Sequence, residues 1–291
     1  MSVFKGSGVA ICTPFNAGGI NFEAFGRLVD FQIENGTDAI IVCGTTGEPS
    51  TMTTPEKEAA ISFCVERVAG RVPVVAGTGG NNTAAVVEAS KRAATLGADA
   101  LLIVTPYYNK ATQSGLVAHY SAVADAVDLP IIIYNVPART GLNMLPETLH
   151  RLSSIPTIVG MKEASGDIAQ VAEMARLCPN IDLYSGNDDM IVPLMSLGGS
   201  GVISVVANIA PRDTHDMVMK YLSGDIDGAR RLQLDMKPLI DALFTDVNPI
   251  PVKTALNLMG FHMGSLRLPL TPMGEANLAR LKREMSAYGL I

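Results

Sequence analysis

One lysine in this sequence stands where a nucleophilic amine is expected. Lys162 follows the apolar run 157–161 and precedes the small polar segment 164–167, at which a helix is predicted to begin. A lysine at the end of a buried strand loses hydration, and desolvation lowers the pKa of an amine from about 10.4 toward neutrality. A neutral amine attacks carbonyl carbons, which favours Schiff-base chemistry, although a lone lysine in this position is more often simply solvated.

Hydroxyl side chains accompany this lysine at the ends of other predicted strands. Thr45 and Thr46 follow the second apolar run, Tyr108 follows the fourth, and Tyr134 ends the fifth. Schiff-base chemistry needs an amine to condense with a carbonyl and hydroxyls to move protons, and it needs no cofactor. The threonines could instead shape a turn, and Tyr134 could be a core tyrosine. Their joint occurrence at successive strand ends favours the catalytic interpretation.

The charged residues near predicted strand ends suit a carboxylate better than a phosphate. The backbone N–H groups of residues 44–47 and Arg139, the only arginine near a strand end, could hold a carboxylate, although Arg139 could also be a surface residue. Neither GxGxxG nor GxxxxGK[ST] is present, and Asp188 and Asp189 would repel a phosphate. We interpret both aspartates as helix caps. Lys253, the rival lysine, is predicted to lie early in a later helix, in a structural role.

The elements that position these residues form a regular series. Eight short apolar runs, each followed by a helical pattern, occupy residues 8–13, 38–43, 72–77, 100–104, 129–134, 157–161, 181–184 and 201–204. Such repeats predict an α/β fold, a (β/α)8 TIM barrel, whose active site lies at the C-terminal ends of the strands. The pattern after Leu222 indicates a helix stop and a new cap. We therefore predict a barrel over residues 1–224 and a C-terminal helical appendage over residues 225–291.

Composition excludes several classes of function. The 291 residues carry a net charge of −6 without a basic cluster, which argues against nucleic acid as a partner. No apolar run reaches the ~18 residues that a membrane span needs, and the N-terminus lacks the features of a signal peptide, so a soluble, cytoplasmic protein is expected. The four cysteines form no CxxC pair and the four histidines lack zinc-site spacing, so no metal is expected.

Five segments resemble the dihydrodipicolinate synthase branch of the pyruvate-dependent class I aldolases. They are GTTGE at 44–48, TPYYN at 105–109, YNVPART at 134–140, GMKEASGD at 160–167 and SGNDD at 185–189, and they follow the family's order and spacing over essentially the whole chain. The resemblance implies a lyase that condenses pyruvate with L-aspartate 4-semialdehyde to give 4-hydroxy-tetrahydrodipicolinate, in diaminopimelate and lysine biosynthesis. It implies no cofactor.

The resemblance also implies a role for each catalytic residue. Lys162 would form the imine with pyruvate, Tyr134 would donate and accept protons, and Thr45 and Tyr108 would complete the relay. Arg139 would bind the carboxylate of the second substrate. Since the family's counterpart of Tyr108 crosses from a neighbouring subunit, the smallest competent unit would be a homodimer, commonly paired into a homotetramer.

Three further positions are implied to bind substrate. Thr46 would hold the pyruvate carboxylate, with the backbone of Ile203 lining that pocket and Gly186 beside it. Two other functions stay open at this point: a related lyase, such as N-acetylneuraminate lyase or a 2-keto-3-deoxy sugar acid aldolase, and a non-catalytic binding protein on the same barrel. A threonine at position 45, where sialic acid lyases commonly have serine, and the presence of Arg139 favour the synthase.

Two positions predict that feedback by lysine is absent. Members of the family that lysine inhibits commonly bind it with a histidine and a glutamate on the helices after the second and third strands. The matching positions here are Lys57 and Ala85, whereas Asn81 and Tyr107 are kept. The ammonium group of a bound lysine would therefore lack a carboxylate partner and would be repelled by the positive charge of Lys57.

Overall fold

Eight short parallel strands close into a barrel in the computed structural model, which describes residues 2–291. The strands are β1 (Gly6–Ala10), β2 (Ala39–Val42), β3 (Val74–Gly77), β4 (Ala100–Val104), β5 (Ile131–Asn135), β6 (Ile158–Glu163), β7 (Asp182–Ser185) and β8 (Gly201–Ser204). Each strand pairs with the next along the chain, and β8 pairs with β1. The predicted TIM barrel is confirmed.

The helices surround the barrel and then continue beyond it. Nine belong to the barrel portion: α1 (Phe22–Glu34), α2 (Thr54–Val68), α3 (Thr83–Thr95), α4 (Gln113–Ala124), α5 (Pro137–Thr140), α6 (Pro146–Leu152), α7 (Ile168–Leu177), α8 (Ile191–Met195) and α9 (Pro211–Leu222). Four more follow: α10 (Ile226–Asp235), α11 (Lys237–Leu243), α12 (Ile250–Leu258) and α13 (Glu275–Tyr288). No helix in residues 2–291 combines the length and apolar character needed to cross a membrane.

Local sequence explains where several helices begin. Asn82, Thr112 and Asp167 each accept hydrogen bonds from backbone N–H groups in the first turn of the helix that follows. Thr53 and Glu56 form a reciprocal capping box at the start of α2. Two elements were not predicted, the hairpin that pairs Phe15–Asn16 with Gly19–Ile20 and the one-turn helix α5.

The strands are buried on both faces, which explains their nearly continuous apolar sequences. One cluster of buried side chains fills the barrel interior and includes Ile41, Ile132, Tyr184 and Ile203. A larger cluster lies between the strands and the surrounding helices. Because the barrel interior is a packed core, open space is left only near the strand ends.

The last helices pack on one another and reach back to the barrel mouth. Helix α13 packs against α11 and α12, and residues near the start of α12 contact the loop after β2. All four cysteines are buried and free. The division of the chain at residue 224 stays a prediction.

Candidate active site

The amine of Lys162 lies inside the mouth of the barrel, beneath a tyrosine ring. Lys162 is the penultimate residue of β6 and is paired in register with Tyr134 of β5, so adjacent strands direct both side chains to the same level. Its Nζ lies 4.2 Å from the centroid of the Tyr134 ring, and the residue is only 5% exposed. Burial lowers the pKa of Lys162 from 10.5 to about 8, an effect that Asp188 opposes and Arg139 reinforces. A substantial fraction of this amine is neutral near physiological pH.

Tyr134 and Thr45, two of the residues predicted to move protons, lie close together within one chain. Burial raises the pKa of the Tyr134 phenol, whereas the charge of Arg139 and the nearby Thr45 hydroxyl lower it. Thr45 opens the single helical turn Thr45–Gly47, which follows β2. The phenol is therefore protonated at rest and lies near a second hydroxyl, an arrangement that can pass a proton to and from a reacting nitrogen or oxygen.

Tyr108 does not join these residues within the chain. Its side chain is 90% exposed, and its backbone has a φ of +71°, in the sparsely populated left-handed region. The neighbouring residue Tyr107 lines the cavity instead, and Asn81 holds this loop by donating to the Tyr107 carbonyl at 3.1 Å. The single chain therefore does not bring Tyr108 together with Tyr134 and Thr45.

A cavity of about 360 Å³ opens above the tyrosine ring. Its walls include Thr45, Tyr134 and Arg139, together with Lys57 on α2. This volume is in the range of small-molecule sites, and two cationic side chains favour anionic ligands. Since Arg139 lies in one wall of the cavity, the space suits an acid whose carboxylate is bound by a guanidinium.

One of the two remaining predicted substrate-binding residues, Gly186, lies directly against Lys162. A Cβ atom at Gly186 would lie 3.1 Å from Cε of Lys162 and 2.6 Å from Cβ of Ala164, so a side chain there would crowd Ala164 and the lysine stem. Ile203 is fully buried in β8, which β7 separates from the strand of Lys162. Glycine at position 186 thus lets the loop after β7 pass close to the lysine.

A model of the dihydrodipicolinate synthetase family matches residues 3–288. The chain belongs to this family. A 4-hydroxy-tetrahydrodipicolinate synthase of Thermoanaerobacter sp. is 62% identical, over 100% of this chain and 99% of the relative. Two solved structures each cover 100% of both chains at a TM-score of 0.97: a dihydrodipicolinate synthase of Acinetobacter baumannii complexed with pyruvate, at 43% identity, and one of Cyanidioschyzon merolae with lysine bound, at 41%. The family predicted from the five segments is confirmed.

Sequence reasoning missed Asn248, which joins two predicted site residues. Its side-chain N–H donates to the Thr46 hydroxyl at 3.1 Å, and its backbone carbonyl accepts from Arg139 at 3.2 Å. Thr46 is buried, and its hydroxyl accepts this hydrogen bond. The only local signal was the segment 248–251, NPIP, which indicated a turn.

The interpretation of Asp188 as a helix cap is wrong. Its carboxylate is buried and accepts the backbone N–H groups of Val205 and Val206, at 3.1 and 2.8 Å, so it ties the loop after β7 to the loop after β8. The other carboxylate oxygen has no hydrogen-bond partner among residues 2–291. A carboxylate directly after a barrel strand, two residues past Gly186, was the signal that it belongs to the site rather than to a helix end.

Proposed function

We propose that this family member condenses pyruvate with L-aspartate 4-semialdehyde through an imine on Lys162. The synthase activity, a lyase reaction of the class I aldolase type, is supported by full-length relatives of that name at 60% identity and above. The observation that carries the residue assignment is the buried amine, with its lowered pKa, beneath the ring of Tyr134.

The reaction begins when the neutral amine of Lys162 attacks the keto carbon of pyruvate. Tyr134 and Thr45 move the protons that convert the carbinolamine into the imine, with loss of water. The imine loses a proton from its methyl carbon and becomes an enamine, whose carbon attacks the aldehyde of the second substrate. The amine of that substrate then displaces Lys162 as the ring closes, which frees the lysine for another turnover.

The two carboxylates of the substrates go to different parts of the site. The Thr46 hydroxyl and the backbone around Ile203 hold the pyruvate carboxylate, with Gly186 beside them. Arg139, in the cavity wall, binds the carboxylate of the semialdehyde with two parallel N–H donors. No step requires a metal or an organic cofactor.

A second copy of the chain supplies Tyr108. Its exposure in the single chain supports this assignment, because a relay hydroxyl 90% open to solvent has no role in its own barrel. The smallest competent unit is then a homodimer, and the assembly is a homodimer or a homotetramer. A cytoplasmic location fits the substrates and stays a prediction.

Trapping with borohydride tests the imine. Incubation with pyruvate and borohydride should add one reduced pyruvate, irreversibly, to the peptide that contains Lys162, whereas Lys162→Ala should stay unlabelled. Label on the peptide with Lys253 would overturn the assignment to Lys162, and no label at all would also favour the non-catalytic alternative. Turnover of aspartate semialdehyde, N-acetylneuraminate and 2-keto-3-deoxygluconate, measured side by side, separates the synthase from the related lyases.

A further inference from the structure

A buried ion pair that the chemistry above does not use lies next to the Thr45–Gly47 turn. Lys253 of α12 donates from Nζ to Oε1 of Glu48 at 2.6 Å, and both side chains are only 1% exposed. Burial lowers the pKa of Lys253, while the Glu48 carboxylate acts in the opposite direction. Glu48 directly follows the turn that begins with Thr45.

Stability alone does not explain why two charges are buried here. Removing both charges from water carries a desolvation cost that can exceed their mutual attraction, and apolar residues of similar size often serve a core equally well. Buried ion pairs of this kind are best explained where they stabilise one conformation over its alternatives. The conformation concerned here is that of the backbone at Glu48.

The pair holds a strained backbone in place. Glu48 has a φ of +58°, in the left-handed region that residues other than glycine rarely occupy. Its second carboxylate oxygen accepts the backbone N–H of Arg267 at 3.2 Å, and its own N–H donates to the Thr45 carbonyl at 3.2 Å. A conformation of this kind persists only where the surroundings over-determine it, and here they do so through Lys253.

The C-terminal segment contacts the Thr45–Gly47 turn at a second point. Asn248, just before α12, donates to the Thr46 hydroxyl at 3.1 Å. The Nζ of Lys253 also lies 4.3 Å from the centroid of the Phe15 ring, over which Arg267 is placed at 3.9 Å. Residues far apart in sequence thus hold the turn that carries both threonine hydroxyls.

We propose that Lys253 is a positioning residue, which acts through Glu48 to hold the Thr45 hydroxyl against Tyr134 and so sets the rate of proton transfer at the Lys162 imine. This inference rests on the proposed function. Lys253 touches neither substrate nor the reacting atoms. It governs how fast the imine forms and is exchanged, rather than how tightly pyruvate binds.

The experiment must separate positioning from stability. Lys253→Met leaves the Glu48 carboxylate buried without its partner and is expected to lower both the melting temperature and turnover. The double variant Glu48→Gln/Lys253→Met removes both charges, so it should recover much of the thermal stability. Its turnover should nevertheless stay roughly 10 to 100-fold below that of the unaltered protein, because a small misplacement of a catalytic group has effects of that size.

Three readouts decide the outcome. For the double variant, we expect a lower kcat at a KM for pyruvate within about threefold of the original, and slower borohydride trapping at Lys162 that reaches the same final extent. Leu149→Ala on α6, a buried substitution in the outer layer, is the matched control and should lower the melting temperature without slowing trapping. Lys253→Gln, which keeps a donor toward Glu48, replaces Lys253→Met if the latter does not fold.

The results distinguish the two proposals. A folded double variant with normal turnover and a normal trapping rate would contradict the proposed role of Lys253 and would leave the imine mechanism unaffected. Turnover that falls only in proportion to the folded fraction, in the double variant as in Leu149→Ala, would likewise overturn it. Absence of label at Lys162 in the unaltered protein would refute the proposed function itself.

Discussion

At the residue scale, the site depends on the protonation state of one amine. Burial lowers the pKa of Lys162, and two charged side chains act on it in opposite directions: Asp188 raises the pKa and Arg139 lowers it. Only the neutral amine attacks a carbonyl, and the pKa of about 8 decides what fraction is neutral.

The rate of imine formation is therefore expected to rise with pH and to level off above about 8. Below that pH the amine is mostly protonated, so the rate should fall roughly tenfold for each unit of pH. Asp188→Asn removes a charge that raises the pKa, which should move the inflection to lower pH. Borohydride quenching after short incubations with pyruvate measures both profiles, and a rate that still climbs toward pH 10 would show that Lys162 is an ordinary, solvated lysine.

Arg139 is expected to matter for the second substrate far more than for the first. Arg139→Ala removes the guanidinium that we assign to the semialdehyde carboxylate, a loss on the order of 2 to 5 kcal/mol, or at least about thirtyfold in kcat/KM for that substrate. Imine formation with pyruvate should change by much less. Arg139→Lys, which keeps the charge and loses the bidentate geometry, should be intermediate. If both half-reactions decline equally, Arg139 has a structural role.

At the element scale, helices α2 and α3 carry the two positions that would recognise a regulatory amine. Lys57 of α2 lines the same cavity as Tyr107, while Ala85 of α3 offers no carboxylate. The hydrogen bond from Asn81 to the Tyr107 carbonyl links the loop after β3 to the loop after β4. The cavity wall at this point is cationic, which opposes the binding of another ammonium group.

We therefore expect turnover to be insensitive to millimolar lysine. A like charge or a lost charge pair at a desolvated site costs on the order of 2 to 5 kcal/mol, which weakens binding by tens to thousands of times. The variant Lys57→His/Ala85→Glu, which restores the residue types of inhibited family members, should gain sensitivity. Half-maximal inhibition of the unaltered protein below about 1 mM, equivalent to roughly −4 kcal/mol of binding, would contradict the argument.

At the scale of the whole molecule, the proposed relay is divided between two chains. The exposed side chain of Tyr108 and its left-handed backbone place a catalytic candidate outside the barrel that it is proposed to serve. An isologous pair of chains could exchange this residue reciprocally, so that each copy completes the other. Activity would then depend on assembly.

Mixing two inactive variants tests this exchange. Tyr108→Phe keeps Lys162 and lacks the relay hydroxyl, whereas Lys162→Ala lacks the nucleophile and keeps Tyr108. If Tyr108 acts in its neighbour, co-refolded mixtures should recover about a quarter of the original activity, because half of randomly paired dimers are mixed and each has one complete site. If Tyr108 acts within its own chain, the mixture will be as inactive as its parts.

The architecture and the position of the proposed nucleophile follow from the sequence because both are encoded locally. Apolar runs of four to six residues that alternate with amphipathic helices predict a barrel, and residues that follow such runs must lie at its mouth. Lys162, Tyr134 and Thr45 were identified in this way. Strand order and position are enough to bring them near one another, whatever the details of packing.

Tertiary structure alone decided the contacts between segments far apart in the chain. Asn248 reaches Thr46 and Lys253 reaches Glu48 across about 200 residues, and no local pattern distinguishes such partners from an ordinary turn asparagine or helix lysine. Aspartate is a residue type that often caps helices, yet closure of the barrel places backbone N–H groups of the loop after β8 within hydrogen-bonding distance of the Asp188 carboxylate. Local periodicity encodes elements, whereas pairing across the mouth depends on how the closed barrel and the last helices come together.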